Sequence, residues 1–582
     1  MSKKRSAIFI LAFFLAFSCS VFLFRCVTRG EDAKFETYTE ELFRQEAASG
    51  TITLHYTLKN PEAYNIHHVP VTYGSVSTDK ETVCAAAENA LASLRSFHRS
   101  RLSSENKLTY DVLESYLTAS LAESEYLLYE EPLAPLTGTQ SQLPILLSEY
   151  EFYDIEDCET YLKLLKETPE YFRSIASFEE AKSREGLFMS SRSADGIIEE
   201  CLAFTSLKDK NYLYSSFEER LSQLDLTDAE KEQYEKTNDE YLKTYVFPAY
   251  EELADALEDL RTSGKNENGL HYLPEGDSYY ECVVAGETGS SRSIPELQNL
   301  TRSQMADDLT AIQEVLESDD LSSSSDLFSG QGTVLSDSNP ESILVSLQSK
   351  LSGSFPAPPA VNTQIKYIQK DMEEYFSPAF YMIPPIDNSQ ENVIYINQGH
   401  IPDDLTLFTT LAHEGYPGHL YQTTYYASTD PAPIRNLLGF GGYTEGWATY
   451  SEMLSYYYAD IPKEQAVLLQ HNASLILGLY ALADMGIHYD GWTLADTVSF
   501  FHDYGIGDTD TIKEIYDLII GDPGNYLKYY IGYVEFLELK KDAIRAWKDD
   551  FSQERFHKLI LETGPAPFDI SRRPSGLRKT IN

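Results

Sequence analysis

The stretch AHEGYPGHLYQ, Ala412 to Gln422, sets two histidines around a glutamate and then breaks the run with Pro417 and Gly418. Just upstream, Pro402-Asp403-Asp404 is a helix-start signal, and Leu405, Phe408 and Ala412 fall on one face at i, i+3 and i+7. His413 and Glu414 therefore belong to a helix whose other face is buried. In the zinc motif H-E-x-x-H the histidines are four residues apart, about 40° round the helix, so both imidazoles reach one ion. Here the spacing is six, which on a continuous helix would turn His419 about 120° from His413. Proline cannot continue the hydrogen-bond ladder and glycine tolerates unusual torsions, so a break or bulge at Pro417-Gly418 could swing His419 back. A helix end rich in polar residues fits the same letters, and the spacing alone does not make an enzyme.

A zinc site also needs a third protein ligand and a position open to water. Downstream of His419 runs YTEGWATYSE, Tyr443 to Glu452, a helical segment after Gly441-Gly442. Glu445 is the candidate third ligand. Glu452, seven residues on and on the same face, is placed to support a ligating histidine. Glu414 is then free to act as general base towards a metal-activated water.

Composition bounds the rest. The chain has 582 residues, 42% of them apolar, enough for a large core or several packed lobes. Its formal net charge is −45, spread along the length, which repels phosphate backbones and excludes a nucleic-acid role. The 42 tyrosines fit an aromatic-rich surface open to peptide or carbohydrate contact.

Residues 1–30 read differently. Lys3, Lys4 and Arg5 precede an apolar run from Ala7 to Phe24, ended by Arg25. That pattern is a signal sequence or a single membrane anchor, short against the roughly 20 residues a bilayer span needs. Cys19 follows a poor lipobox and Cys26 a worse one, and lipidation stands as an outcome beside leader cleavage and an uncleaved anchor. In each case the rest of the chain lies outside the cytoplasmic membrane. Cys84, Cys158, Cys201 and Cys282 are too scattered for a zinc cluster and read as sparse thiols, or as one or two disulfides.

Along the chain, Phe35 to Ala47 is amphipathic, and Ile52, Leu54, Tyr56 and Leu58 alternate as in a strand. From about Lys80 to Arg261 the pattern is helical, including Ala229 to Leu242 and Tyr245 to Leu260, with Pro248 set to start or kink a helix. Leu321 to Asp326 and Ser352 to Pro359 read as surface loops, and strands are expected near Tyr279 to Ala285 and Val393 to Asn397. The expected fold class is mainly α with a small β-sheet. Residues 31–582 form one unit with the metal site within 400–455.

HEGYPGHLYQ followed by YTEGWATYSE resembles the bacterial domain-of-unknown-function 885 family, whose members carry H-E-x-x-P-G-H-x-x-Q and then E-G-W-A. FPAYEELADAL from Phe247, YLPEGDSYY from Tyr272, LADMGIHYDGWT from Leu482 and YLKYYIGYVEFLELK from Tyr526 resemble other family blocks. The resemblance spans roughly residues 80 to 575. It implies a helical, zincin-like metallopeptidase architecture with a cleft between helical lobes, one Zn²⁺ on His413, His419 and Glu445, and Glu414 as base. Two departures are Tyr480, where many members carry arginine, and Leu420, where a second histidine often follows the ligand; if that arginine holds a substrate carboxylate, the resemblance does not carry terminal-carboxylate specificity to this chain.

An oxyanion formed by attack on an amide needs a donor besides the metal. Tyr529, two residues before Ile531-Gly532, matches a family tyrosine, with a core tyrosine as the alternative. His488 is the weaker candidate, with a satisfied helix-end histidine as the alternative. The stretch Phe380 to Asn397 is either the edge strand to which a peptide adds or an ordinary sheet strand. The expected function is an extracytoplasmic zinc peptidase acting on peptides. The alternatives are a metal-dependent amidase and a non-enzymatic envelope protein that binds peptide or glycan.

Overall fold

The computed structural model describes residues 30–573 apart from 136, 318–334, 336–337, 369, 371–372 and 374–376. The leader expected over residues 1–30 and the Leu321–Asp326 loop lie outside these, save Gly30. The described chain is mainly α-helical with one three-stranded sheet. The region from Lys80 to Arg261 is helical, as expected, and four helices start on capping boxes that Asp154, Thr227, Ser293 and Thr493 close with the acid three residues on. Pro248 lies in the first turn of Phe247–Leu260. Because it has no N–H to offer the preceding turn, the chain runs through a π-helical segment, Leu242–Val246, between that helix and Asp228–Tyr241.

Two expectations are corrected. Residues 51–58 form a helix, Thr51–Thr57, and the buried positions there are Thr51, His55, Tyr56, Thr57 and Leu58, not the alternating set. His55 stacks on Tyr150 with ring centroids 3.6 Å apart, a tertiary contact that outweighs the strand-like run. Tyr279 to Ala285 belongs to the Gly276–Thr288 helix, where Tyr280, Val284 and Thr288 recur every fourth residue and are buried. Ser352 to Pro359 is irregular, as expected.

The strands are β1 (Asn362–Tyr367), β2 (Ala379–Met382) and β3 (Glu391–Ile396), in the order β1-β3-β2. β1 runs parallel to β3, and β2 pairs with it antiparallel, Phe380 opposite Tyr395. Phe380 to Asn397 is thus two strands: β2 is an edge and β3 is central. Side chains on successive strand residues point to opposite faces, and the sheet uses this to separate two hydrophobic cores. Tyr381, Ile394 and Ile396 join the larger core, built from the N-terminal helices and residues after 280. Phe380 and Tyr395, their rings stacked at 4.8 Å, join the core of the 133–257 helices.

Against the larger core's side of the sheet lies the Asp404–Glu414 helix, N-capped by Asp403 and burying Leu405, Leu407, Phe408, Leu411 and Ala412. The Lys463–His488 helix is long and apolar enough to cross a membrane by composition, yet it is packed against Ile294–Leu316 and Asn525–Trp547 in the core. The four described cysteines are free thiols.

Candidate metal centre

The helix begun at Asp404 ends at Glu414, and a second starts at His419 and runs to Ala427. Between them the Gly418 N–H donates to the Ala412 carbonyl and the Tyr421 N–H to that of Gly415, each across six residues instead of four. Two residues are therefore looped out, and His419 takes up the place that a residue four after His413 would hold on an unbroken helix. A β-carbon on Gly418 would lie 1.8 Å from the His413 carbonyl oxygen, so only glycine permits this closure. The looped-out segment is pinned from outside, since the Trp447 indole N–H donates to the Pro417 carbonyl at 2.8 Å.

The third residue comes from Gly441–Ser455. This helix crosses Asn525–Trp547 at Gly446 and Gly532; a β-carbon on Gly446 would sit 2.4 Å from the Gly532 Cα. Backbone meets backbone there, and Glu445 and Tyr529 are brought to one place. One ligand atom each of His413, His419 and Glu445 lies within 4.8 Å of the others. The imidazoles are nearly perpendicular, at 80° with centroids 4.9 Å apart, and Glu445 Oε2 is 3.2 Å from His419 Nε2 and 3.7 Å from His413 Nε2. Two imidazoles and a carboxylate facing one point are a donor set that suits zinc.

The surrounding contacts orient these groups. His413 Nδ1 is 3.1 Å from Glu452 Oε2, the supporting role expected for Glu452. Burial works against a charged His413 ring, but its bonds to Glu445 and Glu452 win and raise it to about 10. Burial likewise opposes the Glu445 charge, yet His419 and His413 hold its carboxyl well below the usual range. Glu414 is buried, and its Oε2 accepts the Tyr381 N–H of edge strand β2 at 2.8 Å.

Tyr529 is half-buried, its ring 6.4 Å from that of His413. Glu445 first and burial second keep its hydroxyl well above the usual tyrosine range, so it remains a proton donor. His488 is not brought to this cluster. It is 1% exposed, Nδ1 accepts the Leu270 N–H, and Nε2 bonds the Ile519 carbonyl, while burial pushes its pKa down to about 4. It is a satisfied core histidine, and the catalytic role expected for it is withdrawn. Of the two departures, Leu420 is core and Tyr480 packs on Phe501 and Tyr526.

Glu445 lines a cavity of about 1,790 Å³ together with Thr444, Gln422, Ile383 and helices from both the N-terminal and 276–288 regions. Two contributors are not apparent from the sequence: the Tyr381 N–H and the Trp447 indole. Trp447 lies inside the quoted YTEGWATYSE block, so its letter was visible while its contact was not.

Fold and site together define a mainly helical protein with a His-His-Glu cluster of metal-ligand type beside a large cavity. The chain belongs to the family described as bacterial protein of unknown function (DUF885), which matches residues 75–573. Among solved structures it is similar to a candidate lipoprotein from Colwellia psychrerythraea, with TM-score 0.79 and 19% identity over 94% of this chain and 99% of that one. A candidate lipoprotein of unknown function from Shewanella oneidensis is also similar, with TM-score 0.64 and 16% identity over 93% of this chain and 99% of that one. These likenesses concern the fold. No curated protein matches the sequence.

Proposed function

We propose that this protein is an extracytoplasmic zinc-dependent hydrolase, a peptidase of zincin type held to the membrane or exported through its N-terminal segment. The observation that carries the reading is the convergence of His413, His419 and Glu445 within 4.8 Å, with Glu414 fixed beside them by a backbone donor. His413, His419 and Glu445 would hold the ion, which when bound supplies Lewis-acid activation of water. Glu414 keeps Oε2 on Tyr381 and leaves Oε1 to take the proton from water and pass it to the leaving amine. Tyr529, protonated and next to His413, supports the oxyanion as donor. Strand β2 is an edge beside Glu414, a place where an extended peptide can add backbone hydrogen bonds. The basic-then-apolar leader and the candidate lipoproteins of similar fold support the location.

The test is zinc content by mass spectrometry on the purified protein, with peptide-library hydrolysis alongside. Near-stoichiometric zinc should be lost in His419→Ala. Glu414→Gln should keep the metal and lose turnover by roughly 10²- to 10⁴-fold. Failure to take up zinc when it is supplied removes the reading. Tight peptide binding by zinc-loaded protein without any cleavage would favour the binding-protein alternative, and cleavage of conjugated amides in preference to peptides the amidase.

A further inference from the structure

Five lysine or arginine side chains are buried among the described residues, and four are tied down. Lys182 bonds Glu131 and the Glu130 carbonyl; Arg220 bonds the Leu147 and Tyr150 carbonyls; Arg435 bonds those of Thr563 and Pro565; Arg572 pairs with Glu535 and Asp542. Lys528 differs. It is 7% exposed, it lines the cavity beside Glu445, and among the described residues no hydrogen bond or ion pair engages its ammonium. Its partner is the Tyr529 ring, with Nζ 5.4 Å from the centroid. A cation that opens onto a cavity with no counter-ion of its own is a place where an entering anion can pair.

The position of Lys528 says which anion. The same Tyr529 ring lies 6.4 Å from the His413 ring, so ammonium and imidazole are separated by no more than about 12 Å. An ammonium–carboxylate contact takes about 3 Å of that span and one residue of extended chain covers roughly 3.5 Å, so a group bound at both points is at most two residues long. The cavity's other cations are already engaged, Arg95 with Glu114, Arg573 with Asp111, and Arg435 as above. Glu46, Glu123, Glu281 and Glu287 also line the cavity and repel a carboxylate elsewhere in it.

We propose that Lys528 binds the C-terminal carboxylate of a peptide laid across the His413, His419 and Glu445 cluster, making the protein a carboxypeptidase that releases one or two residues. This rests on the peptidase reading. The reaction is hydrolysis: the C–N bond breaks, the carbonyl carbon gains hydroxyl, and the leaving amine gains the proton. No further reactant is needed. An internal stretch of chain offers Lys528 no charge and gains nothing from it. An aspartate or glutamate side chain just past the scissile bond offers the same chemistry, and the test separates the two.

Zinc-loaded Glu414→Gln protein is dialysed to equilibrium against a random hexapeptide pool, presented as free acids and as C-terminal amides, and the retained peptides are identified by mass spectrometry. Free acids should be retained about tenfold better, the preference should collapse in Glu414→Gln/Lys528→Met, and Glu414→Gln/Lys528→Arg should keep it. With the active protein, products should be shortened from the C terminus by one or two residues, and amides should be poor substrates. Equal retention of acids and amides, retention of neither, or a preference unchanged by Lys528→Met overturns the proposal. Enrichment of acidic side chains without regard to the terminus also overturns it, in favour of side-chain recognition. Retention of free acids without cleavage by the active protein would sink the hydrolase reading and leave the carboxylate site standing.

Discussion

Gly418 shows how one missing side chain makes a site. Its φ is −79°, ordinary for any residue, so the requirement is space: a β-carbon would meet two main-chain oxygens, of His413 at 1.8 Å and Ala412 at 2.5 Å. Neither can swing aside as a flexible side chain would. Gly418→Ala should therefore cost about 1–3 kcal/mol of stability and shift His419 away from His413. Thermal unfolding and zinc stoichiometry measure both effects; an alanine variant with full metal occupancy would show that the bulge tolerates a side chain. Of the two glutamates beside His413, Glu445 faces its Nε2 and Glu452 its Nδ1, so each ring nitrogen has its own carboxylate.

Among the elements, the crossing of Gly441–Ser455 with Asn525–Trp547 sets the distance between Glu445 and Tyr529. The helices touch through Gly446 and Gly532, and the Gly442 carbonyl oxygen would lie 2.1 Å from a β-carbon on Gly532. Gly446→Ala should force the helices apart and destabilise the protein by roughly 2–3 kcal/mol. Zinc affinity should weaken as well, because Glu445 is the neighbouring residue. Denaturant unfolding and competitive zinc titration would show it; stability lost with metal affinity unchanged would mean that Glu445 is positioned independently of the crossing. Trp447 adds a second brace from the same helix, since its bond to the Pro417 carbonyl joins the bulge to the element bearing Glu445.

Across the whole molecule, a buried polar chain ties the site helices to the C-terminal part of the fold. The Lys540 ammonium donates to the Tyr450 hydroxyl, Tyr450 bonds His557 Nε2, and His557 Nδ1 donates to the Ser354 carbonyl of the irregular 352–359 segment. Phe355 stacks on His557 at 3.9 Å, and the Tyr421 hydroxyl donates to the Pro356 carbonyl. Burial lowers Lys540 to about 8, against about 10.4 in an unfolded chain. The folded state thus binds fewer protons between those values, so stability rises with pH from about 8 to about 10.4 and is reduced below 8. Relative to Lys540→Met, the wild-type protein should gain roughly 1–3 kcal/mol over that window, read from denaturant midpoints at pH 7, 8, 9 and 10.5. A difference that stays flat with pH would show that Lys540 titrates normally.

The sequence by itself determined the helix carrying His413 and Glu414, its Asp403 cap, the helix carrying Glu445, and the mainly helical class, because periodicity and capping are local and their physics acts over one or two turns. It also showed which residues could form the cluster, and that Pro417-Gly418 had to break the helix if His419 was to join it. The size of that break was decided by tertiary structure, through the closure of Gly418 on Ala412 and the Trp447 anchor. Strand-like alternation at residues 51–58 was overruled by packing of His55 on Tyr150, and His488 was taken by backbone groups of Leu270 and Ile519, distant in sequence. Lys528 reads as an ordinary surface lysine from its letter. Only its place at the cavity wall, with no counter-ion beside it among the described residues, distinguishes it, and that place is a property of the packed chain.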